Sequence, residues 1–225
     1  MFRSLVLAAL LAGLAASGVL TLTQTRWVTP LILQAEVFEE AATRHAGTVP
    51  AEPPSEGAWT PADPGERLLA TSVGNGVMGI GYALLLVGLF AWRRPVGAAE
   101  GLAFGLAGFA AFFAAPSLGL PPELPGTEAA ELSARQAWWL ATAVGTAVGL
   151  GLCFLQTRWL WRSLGLGLLI LPHVLGAPEP VVAGGLAPES LQTQFRLATL
   201  LSNALFWALL GWLSALAVRR FCPEA

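Results

Sequence analysis

Apolar residues dominate six stretches of the chain, at about 4–22, 68–92, 101–120, 137–155, 159–176 and 197–218, while the segments between them hold most of the charge and proline. Each stretch is close to the roughly 20 residues that a helix needs to cross about 30 Å of hydrocarbon. The pattern predicts an all-α polytopic membrane helix bundle: about six transmembrane helices in one membrane domain, residues 1–225. The first stretch does not stop cleanly, because residues 23–40 (TQTRWVTPLILQAEVFEE) keep apolar residues between polar ones. Beyond it, a proline-rich segment at about 41–66 predicts a mobile external loop without a packed core. Arg3, the apolar run and Ala15, Ala16 and Ser17 also fit a secretory signal peptide, whose removal would leave five crossings.

Within the stretches, small residues recur at helical spacing. Gly74, Gly76 and Gly79 spell GxGxxG, but no strand precedes them, so a dinucleotide site is rejected. Gly101/Gly105 and Gly145/Gly149 have the GxxxG form that lets membrane helices approach closely. A second recurrence is LATSVGN (69–75), LATAVGT (140–146) and LATLLSN (197–203), each preceded by an arginine: Arg67, Arg135 and Arg196. It predicts a helix hairpin used three times, pairing helices one with two, three with four and five with six. Helices three and five also end alike, in Pro116-x5-Pro122-Glu123 and Pro172-x5-Pro178-Glu179.

Composition agrees with the bilayer as solvent, since 55% of residues are hydrophobic and only 12% charged. All basic residues are arginine, and the net charge of −2 gives no support to nucleic-acid binding. Six crossings sort the charges sharply. Arg3, Arg93, Arg94, Arg158, Arg162, Arg219 and Arg220 fall on one side with Glu100 and Glu224, and the other acids collect opposite. The positive-inside rule makes the arginine side cytoplasmic, with both termini there and an acidic, cation-gathering face outside. The expected home is the bacterial inner membrane, in contact with lipid. Cys153 lies inside helix four and Cys222 at the inner tail, so no structural disulfide is expected between them.

Candidate chemistry is sparse. Thr71 and Asn75, Thr142 and Thr146, and Thr199 and Asn203 each lie one helical turn apart, so each pair faces one direction and is a candidate lining for a pathway. His173 follows Pro172 inside an apolar run, roughly 21 Å along its helix from Trp159. An ionisable group at that depth is a functional suspect by default, and neutral imidazole ligates transition metals. Glu36, Glu40, His45, Glu123 and Glu179 fall on the same outer side as further oxygen or nitrogen ligands. No CxxC or HExxH spacing accompanies them. Nucleophile elbows, Walker loops and paired catalytic carboxylates are absent from the sequence, so no enzyme is expected, and ATP-driven transport would need another subunit.

Several blocks in order, GLPPELPG (119–126), RQAWW (135–139), LPHVLGAP (171–178) and FxxATLLSNALFW (195–207), together with QAEVFE (34–39) and the closing RRF, resemble the CbtA family of bacterial membrane proteins proposed as cobalt transporter subunits. The resemblance implies uptake of Co²⁺ as a transported ion, with no tightly bound cofactor, a link to cobalamin synthesis, and a small single-helix histidine-bearing partner, CbtB. Many members carry a histidine-rich loop after helix one, where this sequence keeps only His45. Position by position, Glu36, Glu123, His173 and Glu179 are the matching ligand candidates, with Arg135 and Asn203 as supports for the fold. The alternatives are a non-transporting membrane scaffold or partner subunit, and a carrier of nickel or another small solute.

Overall fold

The computed structural model describes residues 2–45, 61, 63–93, 97–180 and 184–222. Helices account for most of them: α1 (Phe2–Thr23), α2 (Thr29–His45), α3 (Pro64–Arg93), α4 (Ala98–Phe109), α5 (Ala115–Gly119), α6 (Leu132–Leu155), α7 (Trp159–Leu175) and α8 (Glu189–Phe221). Five-residue π-helical turns, Gln24–Val28 and Ala110–Ala114, join α1 to α2 and α4 to α5, so the eight helices make six rods. Five rods are long and apolar enough to cross a membrane. The sixth, α7, has 17 residues, at the short end of what spans. The protein is an all-α, multi-pass membrane bundle.

The first rod overruns its expected end near residue 22 and stays helical to His45, inside the segment read as a loop, of which residues 46–60 and 62 lie outside the described residues. At about 1.5 Å per residue, residues 2–45 extend roughly 66 Å, twice the hydrocarbon thickness. Two devices carry the helix through its polar stretch. Hydroxyls fold back onto their own helix, Thr23 donating to the carbonyl of Leu20 at 2.9 Å and Thr25 to that of Thr21 at 2.8 Å. Beyond them Val28, Leu31, Ile32 and Ala35, at helical spacing, form a small second core with Leu124, Leu191 and Phe195. The last helix takes part in the same layer, which is why α8 begins at Glu189 rather than near 197.

The main body comprises α1, α3, α4 and α8, with α1 packed on α3 and α8, and α4 packed on α8. Its core is apolar: Ala8, Ala9, Ala16, Leu20, Ala83, Leu86, Val87, Phe90, Phe206, Trp207 and Leu210 among others. Helices α6 and α7 pack on each other and meet the main body chiefly through the Ala110–Ala114 turn and α5. The three-hairpin expectation is therefore corrected. The α1–α3 pairing is present and the third rod meets α6 through the Ala110–Ala114 turn and α5, but α4 packs chiefly on α8, and α7 packs on α6 rather than on α8.

Glycine contacts decide these partners. A Cβ on Gly101 would lie 2.7 Å from the carbonyl of Gly211, and one on Gly105 would meet the carbonyl of Trp207. A Cβ on Gly149 would fall 2.8 Å from the Gly165 carbonyl, and one on Gly13 would fall 2.7 Å from the Cα of Ile80. Backbones this close seat only on a glycine face, as the GxxxG spacings predict for α4 and α6. On the acidic side, the loops after α5 and α7 join through a single antiparallel bridge between Thr127 and Gly185. Glu128 N–H donates to Gly184 O at 3.3 Å and Leu186 N–H to Gly126 O at 3.2 Å. Gly126 turns there with φ +76°, and Leu186 lies against it.

Candidate functional site

Two groups of polar residues sit on the acidic half of the bundle. The first surrounds the Gln24–Val28 turn. A π-turn interrupts the regular i→i−4 ladder, and such turns occur often at functional sites. Asn75 of α3 is buried there and its Nδ2 donates to Gln24 Oε1 at 2.7 Å and to Thr21 Oγ1 at 3.0 Å. One turn towards the arginine side, Ser17 Oγ donates to the Asn75 carbonyl at 2.7 Å. Helix α8 packs on α1 and on the Gln24–Val28 turn, with Leu20 and Phe206 in one core cluster and Val28 and Phe195 in the other.

Thr71 and Asn75 lie one turn apart on α3 and Thr199 and Asn203 on α8, and both helices pack on α1 and on each other along an α1–α3–α8 seam. Asn203 Nδ2 is turned along its own helix to the Thr199 carbonyl at 2.9 Å. The Thr199 and Ser202 hydroxyl oxygens are buried without a partner among the described residues. Thr142 and Thr146 lie elsewhere, on α6, which does not pack on α3 or α8. Thr142 shares a stripe with Trp138, Gly145 and Gly149, the face turned to α7. Towards the arginine side the seam is closed by Leu20, Phe206, Leu86, Phe90 and Leu210, with the buried hydroxyl of Ser214 one turn beyond Leu210 on α8.

The second group is at the acidic-side rim. His173 is half-buried near the end of α7, with its ring 6.0 Å from that of Trp138 in an edge-on arrangement. Trp138 Nε1 donates to the Pro172 carbonyl at 3.3 Å, so the tryptophan holds the α7 end beside the histidine. Glu123 pairs with Arg135 at 3.7 Å, tying the loop before α6 to that helix. Glu36 pairs with Arg67 at 2.8 Å and links α2 to α3, while Glu40 pairs with Arg44 on its own helix at 2.9 Å. Glu179 is exposed. The side chain of His45 lies outside the described part of the structure. Among the described residues, no three of His, Cys, Asp and Glu converge as a metal cage. Glu36 and Glu40 share one surface pocket on α2 with Glu39 and Arg44, and Glu36 and Glu123 face Arg67 and Arg135, two of the arginines that precede the LAT segments.

Residues that sequence reading missed are Ser17, Thr21, Gln24 and Trp138. The first three have a visible signal, a polar residue at every third or fourth position where an apolar helix meets TQTR. At the rim, Glu131 caps α6, accepting from the Ser133 hydroxyl at 2.6 Å and from the backbone N–H groups of Ser133 and Ala134 at 2.9 and 2.8 Å. The Ser133 hydroxyl, followed by those N–H groups, holds its carboxyl below the usual range.

A family model described as probable cobalt transporter subunit (CbtA) matches residues 2–219. No curated protein and no solved structure matches the chain. A match over nearly the whole length, on a bundle of membrane-length helices, establishes that the chain belongs to the CbtA family of probable cobalt transporter subunits.

Proposed function

We propose that the protein passes Co²⁺ inward across the bacterial inner membrane, as the multi-pass subunit of an uptake system that feeds cobalamin synthesis. The observation that carries the reading is the family match over residues 2–219. The charge asymmetry adds direction: the arginine side faces the cytoplasm by the positive-inside rule, and the acidic side faces the incoming cation. His173, Glu179, Glu123, Glu36, Glu40 and His45 act as contacts met singly rather than as a closed shell. Conduction favours this, since an ion must leave a site as readily as it enters. From the rim the ion reaches the Thr71, Asn75, Thr199 and Asn203 seam, and the apolar core below must part for it to go further. Waters or a second chain complete its coordination, which fits a subunit acting beside a single-helix, histidine-bearing partner of the CbtB kind.

The test is accumulation of labelled cobalt by cells with and without the gene, and with His173→Ala at wild-type expression. The expected result is gene-dependent uptake that falls severalfold in the variant. Equal uptake by His173→Ala removes the histidine from the path. Absence of gene-dependent uptake, with no ion movement in liposomes, favours the scaffold reading, and competition by nickel at equal concentration favours a different cargo.

A further inference from the structure

On the arginine side, a groove of about 720 Å³ opens between α3 and α6, floored by α4, the Ala110–Ala114 turn and Trp207. None of the candidate transport residues lines it. Its walls are leucine, alanine and phenylalanine, and the two charged groups in the lining, Arg93 and Glu100, belong to the facing ends of α3 and α4. Its far end is stopped by aromatic rings: Tyr82 lies 4.6 Å from Trp207 and 5.1 Å from Phe112 between centroids, and Phe112 stacks on Trp207 at 5.5 Å.

Length identifies the occupant. Along α3 the lining runs from Tyr82 to Arg93, which at about 1.5 Å per residue is roughly 16 Å. That is one half of a hydrocarbon core about 30 Å thick, the depth of a single leaflet. A transmembrane helix from a partner would need a groove along the full thickness. An acyl chain from the arginine-side leaflet needs this half. The mouth has matching charge. The Arg93 guanidinium hangs over the Phe104 ring, 5.5 Å from its centroid, at the level where a headgroup phosphate lies. The Glu100 carboxylate is turned away from that role, because its Oε2 accepts the Gly97 N–H at 2.9 Å and caps α4.

We propose that this groove is a binding site for an anionic phospholipid, with an acyl chain against Leu85, Leu89 and Leu150 and the phosphate on Arg93. The bound chain fills the wedge between the main body and the α6–α7 hairpin, where α6 does not pack on α3. Water there would wet apolar wall at a cost proportional to its area.

Native mass spectrometry of the full-length purified protein tests this, after addition of dioleoyl phosphatidylglycerol or dioleoyl phosphatidylcholine. The wild type is expected to retain one phosphatidylglycerol, with a preference of about fivefold over phosphatidylcholine, as one arginine near an anionic headgroup supplies. Arg93→Gln should remove the preference. Gly151→Phe should remove retention of both lipids, because a side chain on Gly151 meets nothing within 4 Å and projects into open space beside the groove. Gly74→Phe, equally open but remote from the groove, controls for folding and should retain the lipid. Unchanged lipid retention in Gly151→Phe overturns the proposal, as does a preference that survives Arg93→Gln. A dimer mass that Gly151→Phe dissociates without altering lipid count would overturn it in favour of a second copy.

Discussion

Asn75 offers the sharpest test of how the seam is held. Its side-chain nitrogen donates to Gln24 and Thr21 across the α1–α3 interface, and its own backbone carbonyl accepts from Ser17. Side-chain hydrogen bonds between membrane helices average about 0.6 kcal/mol and reach about 1.7 kcal/mol. Two of them make Asn75→Ala worth about 1–3 kcal/mol. The lower half of that range is expected, because Thr21 can turn its hydroxyl to a carbonyl of its own helix and so recover part of the loss. Gln24→Ala removes one bond and should cost about 0.6–1.7 kcal/mol. The double variant should cost less than the two singles together, since the Asn75–Gln24 bond is counted twice between them. The coupling energy is that bond, about 0.6–1.7 kcal/mol. Reversible unfolding by dodecyl sulfate in mixed micelles, followed by far-ultraviolet circular dichroism, measures all four proteins. Additivity within about 0.3–0.5 kcal/mol, the margin for independent sites, would refute the contact.

Gly105→Val should prevent α4 from seating on α8, at about 2–3 kcal/mol or by loss of expression, since its Cβ meets the Trp207 carbonyl. Gly18→Ala, with nothing within 4 Å of its Cβ, should be neutral or stabilising by up to about 1 kcal/mol in the same dodecyl sulfate unfolding assay. Glu36→Gln breaks the link to Arg67, but both side chains are about a third exposed. The expected cost is therefore below about 1 kcal/mol and shrinks with added salt, which a stability series in sodium chloride would show. Glu131 is a depressed carboxylate, so its contribution is present above its unfolded value of 4.5 and is lost as pH falls through the lower folded value. Glu131→Gln should flatten that acid limb in an unfolding-versus-pH series, and an unchanged limb would assign it to other carboxylates.

The helices themselves were legible because each apolar run has to satisfy its backbone internally, and five of the six rods follow the hydropathy directly. Where one begins or ends was less so. The stretch TQTR reads as an exit from the membrane, yet Asn75 satisfies Thr21 and Gln24 from a helix more than fifty residues away. The stripe Val28, Leu31, Ile32 and Ala35 did carry the signal for the extension, in its helical spacing. Partner choice was not legible. Gly101 and Gly105 announce a close neighbour, but their counterpart is the lone Gly211, which no motif marks. The LAT recurrence pointed to hairpins, while its arginines turn out to matter at the rim, where Arg67 and Arg135 engage Glu36 and Glu123. A carboxylate looks the same in sequence whether it waits for a cation from solution or already has one beside it.

The Thr127–Gly185 bridge makes a yoke of the two acidic-side loops. One loop leads from α5 into α6 and the other from α7 into α8, so all four rod ends are harnessed at that rim. Deeper in the membrane, α6 and α7 adjoin the main body chiefly along one line, the Ala110–Ala114 turn and α5. A sparsely buried attachment is where a fold opens first, so this line is where the α6–α7 hairpin is expected to part from the main body. Whatever grips either loop, a partner subunit or an antibody, loads both of them and pulls on the same hairpin.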